Sequence, residues 1–210
     1  TSGAGDPNPL HPYQKNERCC MDHKQMAYQR CILTAALVLS SIAFLYALGF
    51  ATDIYSLVYH ADSSSSMLYV EGAEIYYQIQ PFNKVLLRYA TILFVLCLAM
   101  FITLTHRRRL YYTTNYVTTI GFLGYAGYLG TTLLVNVLYI KQRYLIIDFE
   151  RVKEVTDLLN LNYVESTMML DIGIGLSMAL YALAAGLIIN LIWKTVNMVK
   201  EKHQRRGAKS

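Results

Sequence analysis

Apolar residues along this chain gather into four long runs, 31–52, 85–105, 115–140 and 168–193, separated by polar or mixed stretches. About 20 predominantly apolar residues in a helix cross the roughly 30 Å hydrocarbon core of a bilayer. Each run reaches that length and none contains proline. Their backbones can therefore satisfy their own hydrogen bonds, as lipid requires. A soluble chain of 210 residues cannot enclose four such helices completely. The pattern predicts an all-α transmembrane fold, a four-helix membrane bundle spanning 31–193.

Charge orients the predicted bundle. An N-terminal arm, 1–30, carries Lys15, Arg18, Lys24 and Arg30, and a basic tail, 194–210, carries Lys194, Lys200, Lys202, Arg205, Arg206 and Lys209. The link between the second and third runs is little more than His106, Arg107, Arg108 and Arg109. The two remaining connections, 54–84 and 141–167, hold fewer basic residues beside eight acids. By the positive-inside rule both termini and the short link face the cytoplasm. The charged arm is too long for a cleavable signal, so the first span is expected to be a permanent anchor. A plasma membrane or a bacterial inner membrane is the expected location. The outer connections contain no cysteine, so no disulfide is expected there.

Both outer connections are expected to fold. In the first, Met67–Val70 and Ile75–Gln80 flank a Glu71-Gly72-Ala73-Glu74 turn and read as a small β-hairpin after a flexible Ser63–Ser66 break. Pro81 is expected to end the second strand and Asn83 to cap the following helix. In the second, Leu145, Phe149, Val152, Val155 and Leu159 recur at spacings of three and four, one face of an amphipathic helix that packs over the bundle. The first dozen residues, with Gly3, Gly5, Pro7, Pro9 and Pro12, are expected to be disordered.

Composition agrees with the spans. Charged residues make up 16% of the chain against about 25% in soluble domains. Tyrosine, favoured where hydrocarbon meets water, occurs 18 times beside the single Trp193.

Two constellations are candidates for function. Asp53, Arg88, Asn136 and Asp171 come from four different spans at a similar depth below the outer surface. Turned inward, Arg88 would bridge the two aspartates and Asn136 would complete the hydrogen bonding, forming either a clamp on helix register or a polar ligand site. Gly121, Gly124, Gly127 and Gly130, with Gly186 in the fourth span, form a small-residue surface for helix packing. At three-residue spacing this surface drifts around its helix and suits contact with more than one neighbour.

Catalytic motifs are not evident. Cys19, Cys20 and His23 match no zinc spacing, and no nucleophile elbow, P-loop, dinucleotide fingerprint or HExxH occurs. No metal, cofactor or nucleic-acid partner is expected, because a basic tail after a membrane span suits anionic lipid headgroups. The reading is a non-enzymatic accessory or structural subunit of a membrane complex, partnered by the bilayer and by another membrane protein or itself. The alternative is a small oligomeric channel or transporter using the polar layer near the outer face.

Overall fold

The computed structural model of the chain describes residues 12–58, 70–104, 113–159 and 161–207. Its elements are α1 (Pro12–Ala51), a 3₁₀ turn (Asp53–Tyr55), α2 (Ile75–Gln78), α3 (Gln80–Leu104), α4 (Thr113–Tyr144), α5 (Phe149–Leu159) and α6 (Met168–Gly207). Every regular element among the described residues is helical. The predicted disordered start, the serine break, the first strand as far as residue 69 and the basic link 106–109 lie outside the described residues.

The four long helices form a ring in which α1 packs on α3 and α6, and α4 packs on α3 and α6. Neighbours run antiparallel. Gln25 in the first half of α1 meets Asn190 in the second half of α6, and Tyr46 near the end of α1 donates to the Met169 carbonyl at 2.8 Å. One end of the ring, here the terminal end, gathers the start of α1, the end of α3, the start of α4 and the end of α6. The opposite loop end carries α2 and α5.

A seven-residue spacing holds the ring together. Buried positions run Gln25, Gln29, Leu33, Ala36, Ser40, Ala43, Ala47 and Phe50 along α1. Along α3 they run Asn83, Leu86, Ala90, Leu93, Cys97 and Met100. Alternating steps of three and four place one narrow stripe of each helix against its neighbours, the geometry of coiled-coil packing. The middle of the interior is filled by apolar side chains, among them Leu93, Phe122, Leu129, Leu176 and Leu180. Ser40 and Ser177, also buried, satisfy their hydroxyls on carbonyls of their own helices.

Outside that stripe the helices are apolar too. Only 28–33% of the apolar window of each long helix is buried inside the protein. Val38, Ile42, Val95, Ile102, Val117 and Ile189 all face outward. All four helices are long and apolar enough to cross a membrane, and a surface of this kind suits lipid and not water.

Several local expectations change. The second predicted strand, Ile75–Gln80, is helical: Ile75, Ile79 and Asn83 are buried at four-residue steps that lead into the α3 seam, and that tertiary pattern overrides the β propensity of the aromatic run. Asn83 accordingly sits inside the helix, donating its backbone N–H to the Ile79 carbonyl, and does not cap it. Pro81 is accommodated in the first turn of α3, where its missing N–H costs nothing. Finally, the N-terminal arm from Pro12 and the tail to Gly207 are continuous with α1 and α6, since neither a proline nor a glycine interrupts them.

The loop end is folded onto the bundle. Val70 accepts a hydrogen bond from Ala73 across a turn whose third residue, Gly72, has φ +82°. The Glu71 carbonyl then accepts from the Asp148 N–H at 3.4 Å, tying this turn to the start of α5. Asp148 caps α5 by accepting from the Arg151 N–H at 3.3 Å. The predicted amphipathic face is present: Val152 is buried, and Phe149 and Val155 pack on the core. Leu145 departs from it, exposed in the turn before α5. A side chain at Gly72 would be forced into a left-handed backbone, with its Cβ 3.2 Å from Ile147 Cα. Gly72→Ala should therefore lose about 1–2 kcal/mol, read as a lower thermal midpoint in detergent. Gly175→Ala, which meets no neighbour within 4 Å, should not lower it.

Candidate functional site

Among the described side chains of the predicted polar layer, Arg88, Asn136 and Asp171 do not meet one another. Asp171 lies in the first turn of α6 and forms an ion pair with Lys141 at the end of α4. Its second oxygen accepts from the Thr167 hydroxyl at 3.3 Å. A carboxylate in the first helical turn is also favoured by the helix dipole, so three local terms account for it. Asn136 turns its amide back to the Thr132 carbonyl of its own helix at 2.7 Å. Arg88 is exposed, and no ion pair joins it to Asp171. Asp53 opens the 3₁₀ turn, and its side chain lies outside the described residues. Lys141, counted in sequence as loop charge, is the residue that Asp171 uses.

Tyrosines seal this end instead. Tyr76, fully buried, packs edge-on against Tyr163 with ring centroids 4.6 Å apart, and its hydroxyl meets that of Tyr144 at 3.4 Å. Tyr144 donates to the Val164 carbonyl, and Tyr163 to the Val58 carbonyl at 3.3 Å. Gln80 donates to the Leu57 carbonyl at 3.1 Å, latching the end of the first loop. Tyr55 lies against Phe50 and Tyr46, and burial pushes its phenol above the usual tyrosine range.

The glycines divide into two sets. A Cβ on Gly186 would meet Ile32 Cδ1 at 2.6 Å, and one on Gly130 would touch Tyr181 at 3.5 Å, so these two pack inside the chain. Gly121, Gly124 and Gly127 would meet nothing within 4 Å. Gly121 and Gly124 lie on the exposed face of α4 with Val117, Tyr128 and Val135. Close approach along the α1 seams is served by Ala36, Ala43 and Ala47.

The polar interior lies at the terminal end, where sequence reasoning placed only orienting charge. Gln25 Nε2 donates to Gln29 Oε1 at 3.0 Å and lies 3.2 Å from Asn190 Oδ1. Asn115 Nδ2 lies 3.4 Å from Thr103 Oγ1, which pairs with Thr118 Oγ1 at 3.1 Å. At the centre is Lys194, 2% exposed. Its ammonium donates to Asn115 Oδ1 and sits 5.3 Å from the centre of the Tyr116 ring. Neither partner is charged. An ammonium removed from water costs several kcal/mol unless a counter-charge or good hydrogen bonds compensate. The available signal was the spacing Leu187, Asn190, Lys194 and Asn197, which continues the α6 seam past Trp193.

These features define a class: a bundle of four helices, each long and apolar enough to cross a membrane, which fits an integral multi-pass membrane protein. No protein-family model, curated protein or solved structure matches the chain. The terminal amide cluster carries its own prediction. Gln25→Leu leaves Gln29 and Asn190 without their donor, and should cost about 1 kcal/mol, seen as a lower midpoint in detergent unfolding of the full chain.

Proposed function

We infer that this chain is a non-enzymatic accessory or structural subunit of a membrane complex, with both termini in the cytoplasm and the α2 and α5 caps outside. One observation carries the reading: the outward face of α4 presents Gly121 and Gly124, and neither they nor half-buried Gly127 has a neighbour near enough to touch an added Cβ. Glycine in a helix interior is unfavourable by roughly 1 kcal/mol relative to alanine in water, and packing within this chain does not require these three. A second membrane helix laid on that face brings backbones close, which is how helices associate where lipid removes the hydrophobic drive. The channel alternative has less support, because the mid-depth interior is filled by Leu93, Phe122, Leu129 and Leu180 and offers no polar route.

Gly121→Leu combined with Gly124→Leu tests the interface. Both side chains point into open space and leucine has the better helix propensity, so the variant should unfold at no lower temperature than the wild type. Mass measurement after mild detergent extraction should show the wild type carrying a second chain and the variant alone. An unaltered assembly, or a wild type with no bound chain, defeats the proposal.

Orientation is tested separately. A cysteine replacing exposed Asp157 on α5 should react with a membrane-impermeant thiol reagent added to intact cells. One replacing exposed Lys200 on α6 should react only after permeabilisation. The opposite pattern reverses the topology.

A further inference from the structure

We propose that the terminal end of the bundle is a binding site for a phosphate-class anion, centred on the Lys194 ammonium and walled by the first turn of α4. The inference rests on the four-helix fold and is independent of the accessory role. Lys194 is buried, and its one hydrogen bond among the described residues goes to the neutral Asn115 Oδ1. An ammonium has three N–H donors, so two are not used by any described residue. Among the described residues no carboxylate lies within ion-pair distance of it.

The surroundings raise the demand for negative charge. Asn115 and Tyr116 stand in the first turn of α4, a helix that begins at Thr113. The first four N–H groups of a helix lack intrahelical partners and carry the positive end of its dipole. Dipole and ammonium have the same sign and converge on one place, an arrangement that an anion between them relieves. The Tyr116 hydroxyl is buried there and finds no partner among the described residues. Among the described residues, the polar side chains buried or hydrogen-bonded at this end, including Gln25, Gln29, Thr103, Thr118, Thr119, Asn190 and Asn197, are neutral and add no compensating charge.

An anion with oxygens in several directions suits donors that arrive from two helices, and lysine serves phosphate as a point charge. Depth fits as well. Trp193 and Tyr28, with ring centroids 6.0 Å apart, precede the site on the membrane side, and such rings settle at the headgroup level. The phosphate can therefore belong to an anionic lipid headgroup or be free in solution.

The test uses the full chain, with inorganic phosphate in detergent as one arm. Nanodiscs of phosphatidylglycerol against phosphatidylcholine form the other. The wild type should gain thermal stability in at least one arm. Phosphate alone being effective identifies a free anion, and phosphatidylglycerol alone identifies the headgroup. Lys194→Met should weaken the response about tenfold or more, whereas Lys200→Met, on the exposed continuation of the same helix, should respond like the wild type. Absence of any wild-type response overturns the proposal, as does equal loss in both variants, which would mean diffuse attraction to basic charge. Should Lys194→Met fail to fold, Tyr116→Phe takes its place, since it removes a hydroxyl without a partner among the described residues. A response undiminished by that change also overturns the site.

Discussion

Each long helix commits one narrow stripe to its neighbours and the greater part of its apolar surface to the surroundings. That division governs the rest of the structure. A stripe recurring every seven residues must be filled by small or well-fitted side chains, which is why alanines line the α1 seam and leucines and a phenylalanine fill the centre. The same division explains why the buried serines of the mid-bundle, Ser40 and Ser177, bond to their own helices. With apolar surface on every side, a hydroxyl such as that of Ser177 has no nearer acceptor than the Gly173 carbonyl.

Depth was legible in the sequence, and direction around each helix was not. Runs of apolar residues locate the spans, and the alternating chain places Asp53, Arg88, Asn136 and Asp171 at one level. Whether those groups meet depends on azimuth. Arg88 lies two residues from both Leu86 and Ala90, the buried positions on either side of it. Two residues is about 200° around a helix, which turns Arg88 outward. Gly124 lies two residues from buried Phe122 and Ala126 and faces outward for the same reason. The rule requires the seam in advance, and in a helix apolar all round the hydrophobic pattern does not mark it.

The pattern hides the buried place of Lys194 for a related reason. The last tryptophan reads as the end of a span and the lysine after it as the beginning of a tail, yet α6 and its seam run on without interruption. The hairpin expectation failed through the opposite error, where an aromatic and β-branched run looked like a strand although its isoleucines stood one helical turn apart.

The uninterrupted length of α1 and α6 has a mechanical meaning. Each holds 40 residues, about 60 Å of helix, roughly twice the thickness of a hydrocarbon core. Both extensions leave the bundle from the same end, and no proline or glycine softens α1 between residues 13 and 48. The Gln25–Asn190 hydrogen bond joins the two helices where the extensions begin. With no proline or glycine between residues 187 and 206 of α6 either, each extension keeps the direction that its buried seam sets.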